Sequence, residues 1–325
     1  MDEAARIAML ARTLGVASGA GSEFAVEIAI GDDAAVLDGD RATGRRIVWT
    51  IDAQVEGTHF RRDFLPWRDV GWRSLMAAAS DIAAMGAKPW CVLCALALPD
   101  DVDDSALEQM AVGQQDAALS LGAPVVGGNL ARGRELSIST TLLGTCERAV
   151  TRCGARPGDT LWLAGAIGLA AAGLRALETG RSIADPRLRA AIASWRTPHA
   201  LVREGSAMAA VAHAAIDVSD GLARDVGHMA EASGVQIVLD ERELSADDSL
   251  LRAAEASSGS ALELALYGGE DYALVVASPV AVEGFRLIGE VREGKGLVLR
   301  GRQQERSIEP LGFDHFRVGP RIPQN

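Results

Sequence analysis

The spacing of apolar positions changes period many times along the chain, and each change predicts an element. Ile7, Leu10 and Leu14 sit at helical spacing over 4–15, where Gly15 supplies a stop. Residues 28–37 read as a loop between apolar flanks. β-Branched and aromatic residues over 46–52 predict a strand that ends on a carboxylate, Asp52. Small residues over 70–85 predict a helix stopped by Gly86 and Pro89. A strand follows over 90–98, then a helix over 104–121 with acidic residues in its first turn. Residues 124–128 predict a short strand running into a glycine pair, and 136–143 another strand with Ser and Thr interleaved.

The pattern then breaks. Residues 152–159 are turn-rich and read as a joint between a domain over 1–150 and a second over 151–325. Strands are predicted at 160–164, 214–218, 235–239 and 272–277, and a helix at 166–178 ended by Gly180. Ser219 reads as the N-cap of a helix that runs to Ser233. Residues 263–266 lead into Tyr267-Gly268-Gly269-Glu270-Asp271, and the chain after about Gly312 reads as a polar tail. Strands and helices alternate in both halves, which predicts α/β or α+β layers in each. Ser80-Asp81 and Ser219-Asp220 each lie beside a helix, a hint of two related units.

Composition narrows the function classes. The 325 residues suit about two domains, and 48% hydrophobic residues suffice for real cores. Aromatics are only 4%, so those cores rest on Ala, Val, Leu and Ile. A formal net charge of -12 gives no broad electrostatic reason to bind nucleic acid or an anionic membrane. No signal peptide and no run of roughly 20 apolar residues is visible, so a cytoplasmic protein is expected. Cys91 and Cys94 spell C-x-x-C, but no second pair exists and no helix start follows, so both read as strand residues.

The chemistry sits where strands end. Gly31-Asp32-Asp33 sets two carboxylates side by side, which repel unless a cation lies between them. Mg²⁺ prefers oxygen ligands and suits such a pair. Thr50-Ile51-Asp52 ends a strand and leads into a loop holding Glu56, Gly57 and His59. Asp81 stands among alanines in a helix, an expensive place for a bare carboxylate if that face is buried. Gly127-Gly128-Asn129 lets backbone N–H groups approach a phosphate. Asp217-Val218-Ser219-Asp220-Gly221 delivers two acids and a serine at a helix start. Gly268-Gly269-Glu270-Asp271 is again flexible backbone followed by acids. Each motif alone also reads as a polar turn, a helix cap or an exposed surface acid. Together they describe an acidic site that repels phosphates unless Mg²⁺ fills it, the logic of phosphoryl transfer without a P-loop. Gly165-Ala166-Ile167-Gly168 lacks the Gly-Lys-Ser/Thr ending of a Walker motif, and no Gly-x-Ser-x-Gly or zinc-type His pair is present.

The ordered set Gly31-Asp32-Asp33, Asp52 with Val55–Phe60, Ser80–Ala87, Gly127-Gly128-Asn129, Asp217–Leu222, Gly268–Tyr272 and Gly312–Phe316 resembles the thiamine-monophosphate kinases, over about residues 25–316. These belong to an aminoimidazole-ribonucleotide-synthetase-like group with selenophosphate synthetase and a hydrogenase-maturation factor. The resemblance implies a two-domain α/β fold that dimerises through the sheet of its N-terminal domain. It implies ATP as co-substrate, several Mg²⁺ ions and thiamine monophosphate as acceptor. Asp32, Thr50, Asp52, Asp81, Asp217 and Asp220 would hold magnesium, with Asp33 and Asn129 added to that shell. Gly128, Asn129, Arg152 and Ser219 would touch ATP, and His59, Glu270 and Phe313 the substrate. No catalytic side-chain base is expected, because the attacking phosphate oxygen is already anionic.

Two positions depart from the family pattern. Asn129-Leu130-Ala131-Arg132 stands where the family has Asp followed by Thr-Thr-Arg, and Ala79 where it commonly has Asn. The first removes one expected metal carboxylate. It leaves open a nucleotide-binding regulatory protein with weakened catalysis. An aminoimidazole-ribonucleotide-synthetase-type enzyme is a further alternative, although Val55–Phe60 and Gly268–Tyr272 resemble the thiamine branch. Selenophosphate synthetase is set aside because no reactive Cys precedes Cys91.

Overall fold

The computed structural model describes residues 3–14, 26–40, 44–257 and 259–316. The first half contributes α1 (Glu3–Leu14), β1 (Val26–Ile28), β2 (Ala35–Asp40), β3 (Arg45–Val55) and α2 (Trp67–Ala84). It continues with β4 (Lys88–Leu98), α3 (Asp104–Leu121), β5 (Val125–Arg132) and β6 (Ser137–Cys146). The second half opens with β7 (Thr160–Ala164), α4 (Leu169–Glu178), α5 (Arg189–Arg196), α6 (Val202–Met208), β8 (Ala214–Val218) and α7 (Leu222–Ser233). It closes with β9 (Gln236–Asp240), α8 (Glu241–Leu244), α9 (Asp248–Ala256), α10 (Ala261–Tyr267), β10 (Ala273–Ser278), β11 (Arg286–Arg292), β12 (Gly296–Arg300) and β13 (Glu305–Ile308).

These strands form two mixed sheets, ordered β1-β2-β3-β6-β4-β5 and β13-β12-β9-β11-β7-β10-β8. Pairing is antiparallel except between β4 and β5 and between β9 and β12. The first sheet is apolar on both faces but covered on one. Val48, Val92 and Leu142 point inward onto Leu75, Met76, Ala79 and Ile82 of α2. Alternation sends Trp49, Ile51 and Leu93 to the other face, where they are 47%, 70% and 41% exposed. The second sheet packs Leu163, Ile216, Ile237 and Val275 against Leu222, Val226 and Leu264 of the helices beside it.

α2 is buried nearly all round because it lies between the sheets. Its inner turns meet the first sheet, while Ala83 and Ala84 meet Ala164 of β7 and Leu274 of β10. Small residues are what allow this. α3 crosses α2 so closely that a Cβ on Gly113 would lie 1.9 Å from the Arg68 carbonyl oxygen, and one on Gly71 2.0 Å from that of Met110. Full burial of a side chain such as Leu75 contributes about 1.5–3 kcal/mol.

The two layered halves match the expected fold class, and the differences have physical reasons. Residues 35–37, expected as the end of a loop over 28–37, join the sheet in β2 by pairing with β3. The strand expected over 124–128 runs on to Arg132, because its parallel pairing with β4 continues through Asn129 and Leu130. Ser219 is not a cap: α7 starts at Leu222 with Gly221 before it and no side-chain cap. Helices α5, α6, α8, α9 and α10 and strands β1 and β11–β13 were not predicted. Gly15 and the tail beyond 316 lie outside the described residues. Among the described residues no helix is long and apolar enough to cross a membrane.

Candidate active site between the sheets

Four chain segments bring carboxylates to one place. The turn before β2 supplies Asp32 and Asp33, β3 supplies Thr50 and Asp52, α2 supplies Ser80 and Asp81, and β8 supplies Asp217. The contacts are direct. The Thr50 hydroxyl donates to Asp81 Oδ2 at 2.5 Å, which ties β3 to α2. The Ser80 hydroxyl donates to Asp217 Oδ2 at 2.6 Å, which ties α2 to the edge of the second sheet. Arg152, on the connector between the sheets, forms an ion pair with Asp33 through its guanidinium and lies 3.8 Å from Asp32. Its backbone N–H reaches both oxygens of Asp32 at 3.3 Å.

One guanidinium does not neutralise this many acids. Burial pushes Asp33 up to about 7, against the pull of Arg152, and the charges of Asp217 and Asp32 add to the rise. Burial likewise pushes Asp81 well above the usual carboxylate range, and the nearby Asp217 and Asp33 push it further. Asp217 is raised by burial against the hydrogen bond from Ser80. Asp33 Oδ2 is buried without a hydrogen-bond partner. An orphaned oxygen and mutually repelling acids are what a divalent cation would relieve, so these residues fit magnesium. Among the described residues no three His, Cys, Asp or Glu side chains are grouped closely enough to hold a metal ion by themselves. Mg²⁺ does not require such a group, since it keeps waters and takes phosphate oxygens beside one or two carboxylates.

The loop after β8 lies alongside. Asp225 Oδ2 accepts the backbone N–H groups of Ser219, Asp220 and Gly221, each at 3.1 Å, and so shapes the Ser219–Gly221 turn from below. Asp220 carries its carboxylate 3.5 Å from Arg224, and its carbonyl accepts the Phe313 N–H at 2.9 Å.

Glu270 and Tyr272 adopt left-handed backbone, φ +67° and +50°, which non-glycine residues rarely do. Their N–H groups donate to Ser219 O at 2.7 Å and Val218 O at 2.8 Å. Between them Asp271 accepts the N–H groups of Gly168 and Ala170 at the start of α4, and burial pushes it up to about 8. Glu270 accepts from Arg73 at 2.6 Å on one oxygen and from Trp195 Nε1 at 2.5 Å on the other.

His59 completes the neighbourhood. Its Nδ1 accepts the Val55 N–H at 3.0 Å, which places the proton of the neutral ring on Nε2, and burial lowers its pKa. Its ring lies 5.0 Å from His315, which in turn meets Phe313 edge-on at 4.8 Å.

Gly128 and Asn129 stand apart from the acids. Gly128 is required where it is, since a Cβ there would lie 1.8 Å from Cys94 O. The register aligns Gly128 with Cys94, Thr140 and Asp52, and Asn129 with Ala95, Ser139 and Ala53. Thr50 and Gln54 touch α2, so alternation puts Asp52 on the covered face and Asn129 on the open one. The structure thus brings Asp32, Asp33, Thr50, Asp81, Asp217 and Arg152 into one network. Asp52 flanks it on β3. Asn129 lies across the sheet.

Arg73, Trp195, Gln54 and Asp225 were missed by sequence reasoning. Arg73 carried a signal, a long cation within a helix of small apolar residues. Asp225 carries no sequence signal that sets it apart from an ordinary acid in a helix's first turn.

With this geometry in view, the comparisons with known proteins agree. Residues 31–146 match the family model "AIR synthase related protein, N-terminal domain" and residues 156–302 its C-terminal counterpart. The thiamine-monophosphate kinase of Aquifex aeolicus (strain VF5) is 34% identical over 291 residues, 88% of this chain and 92% of that protein. The enzyme of the same name from Mycobacterium tuberculosis (strain CDC 1551 / Oshkosh) is 39% identical over 277 residues, 83% and 80% of the two chains. A solved structure of AaThiL complexed with AMPPCP and TMP superposes with a TM-score of 0.87 at 32% identity, covering 97% of each chain. By these matches the chain is one of the AIR synthase related proteins and, within them, belongs to the thiamine-monophosphate kinase family.

Proposed function

We propose that the chain transfers the γ-phosphoryl group of ATP to the phosphate of thiamine monophosphate, giving thiamine diphosphate and ADP. The observation that carries this reading is the under-neutralised group of Asp33, Asp81 and Asp217, joined by hydroxyls and by Arg152 where the two halves meet. The AaThiL complex with AMPPCP and TMP supports the pairing of nucleotide and acceptor.

Asp32, Asp33, Thr50, Asp52, Asp81, Asp217 and Asp220 would hold magnesium. Magnesium bound there supplies the positive charge that lets phosphate oxygens enter an acidic site and react in line. Arg152 offers a guanidinium to the nucleotide phosphates once its own carboxylate partners have another cation. Ser219 presents its turn to the same phosphates, with its backbone fixed by Asp225. Gly128 and Asn129 serve the nucleotide from the edge strand. Any metal that Asn129 touches is then distinct from the ion held by Asp33, Asp81 and Asp217. His59, Glu270 and Phe313 receive the thiamine rings: a carboxylate for the cationic thiazolium, and aromatic faces beside it. No side chain needs to act as a base, because the acceptor phosphate is anionic near neutral pH.

The open face of the first sheet, with Trp49, Ile51 and Leu93 side by side, supports a homodimer formed through that sheet. We place the enzyme in the cytoplasm. The test of function is direct: incubate the protein with ATP, Mg²⁺ and thiamine monophosphate and separate the products by chromatography. Equal amounts of ADP and thiamine diphosphate are expected. ADP without thiamine diphosphate would overturn the acceptor assignment.

A further inference from the structure

Arg73 is fully buried on α2, and each of its three guanidinium nitrogens has a partner. Nε donates to Gln54 Oε1 at 3.1 Å, one terminal nitrogen to the Trp195 carbonyl, and the other to Glu270 Oε1 at 2.6 Å. The guanidinium also lies 5.0 Å from the centre of the Trp195 ring. Trp195, itself 1% exposed, donates its indole N–H to Glu270 Oε2. The Glu270 side chain keeps 20% exposure. A carboxylate has about four acceptor positions, so two remain for a ligand.

We infer that Arg73 and Trp195 are positioning residues that fix Glu270 in the orientation in which its free acceptor positions meet the cationic ring of the substrate. This rests on the function proposed above. The geometry adds a second consequence. Arg73 and Asp81 share α2, about 12 Å of helix rise apart. Gln54, which holds Arg73, lies on β3 two residues beyond Asp52. The Glu270 carboxylate is thereby fixed to the same two elements that carry the proposed phosphoryl-transfer site, so the span between ring and reacting phosphate is set by rigid backbone. Because Arg73 cancels the charge of Glu270, the ring is held by directed short-range contact and not by a long-range field.

The test is steady-state kinetics on Trp195→Phe, which keeps the ring and removes only the N–H donor, and on Arg73→Lys, which keeps the charge and loses the planar fork. Thiamine monophosphate and ATP are varied separately, with thermal midpoints measured alongside. In both variants the KM for thiamine monophosphate should rise about tenfold, while the KM for ATP stays within about twofold. In a Glu270→Gln background, Trp195→Phe should add little further. A lowered thermal midpoint with both KM values unchanged would make the network a purely structural lock and overturn the inference. So would equal rises in both KM values, or full additivity with Glu270→Gln. Wild-type turnover, measured in the same runs, reports on the proposed function separately: its absence would overturn that reading, whereas the variant-to-wild-type ratios report on the positioning role. If Trp195→Phe fails to fold, Arg73→Lys carries the same comparison.

Discussion

The acids near Arg152 and the acids of the Gly268–Tyr272 loop meet α2 at different turns, through Ser80-Asp81 and through Arg73, and are held in opposite ways. Asp33, Asp81 and Asp217 repel one another, the Arg152 guanidinium pairs with Asp33, and an oxygen of Asp33 has no partner. Glu270 and Asp271 each have both oxygens met by N–H donors. The first region leaves a buried carboxylate oxygen without a partner, which a cation would satisfy. The second is complete as folded, and accepts backbone strain at Glu270 and Tyr272 to be so. On the function proposed, metal and phosphate would fill the first region, whereas the second is held rigid by the chain's own donors.

The strongest way to break this contrast is to remove charge from each side. Asp81→Asn and Asp217→Asn should each lower turnover roughly 10²–10³-fold at limiting Mg²⁺, because each removes a carboxylate that would hold the cation whose charge neutralises the reacting phosphates. Glu270→Gln should act chiefly on the KM for thiamine monophosphate. Near-normal turnover in either aspartate variant, measured by the chromatographic assay, would contradict the role given to the cluster.

A pH series sharpens the same contrast. Asp33, at about 7, and Asp271, at about 8, both bind a proton more tightly folded than unfolded. A raised carboxylate stabilises the fold while protonated, and that contribution is lost as pH rises from the ordinary carboxylate range through the folded pKa. In EDTA the thermal midpoint should therefore fall between about pH 5 and 8. Mg²⁺ should abolish the part due to Asp33, and Asp271→Asn the part due to Asp271, so the two corrections add. If Mg²⁺ alone flattened the whole profile, Asp271 would not be independent of the cluster.

The smallest expected effect is at Asn129. It faces away from the acids on the edge strand, so Asn129→Asp should move the Mg²⁺ midpoint for turnover by less than about threefold, through screened attraction alone. A larger shift to lower concentration would bring it into the metal shell.

What the sequence revealed follows the same division. Asp52 and Asp217 were legible because a carboxylate after an apolar run is unusual in itself, although β3 continues past Asp52 to Val55 by pairing with β6. Asp81 was legible as an acid among alanines. Arg73 was not linked to Glu270, because 197 residues separate them and only the packing of α2 between the sheets brings them together. Trp195 lies on α5, a short helix with no predicted boundary, 75 residues before Glu270. Ser219 was misread as a cap because Asp225, six residues on, reaches back to the same turn. The face that Asn129 occupies depends on sheet register, which residue type alone does not fix.

The most direct test of the central claim is a calorimetric titration of Mg²⁺ into the wild type and into Asp217→Asn, each with a non-hydrolysable ATP analogue present. The account predicts magnesium binding by the wild type with release of protons near pH 6.5, since Asp33 must ionise, and binding roughly tenfold weaker or worse in the variant. Equal affinity in the two proteins, with no proton release in either, would contradict it.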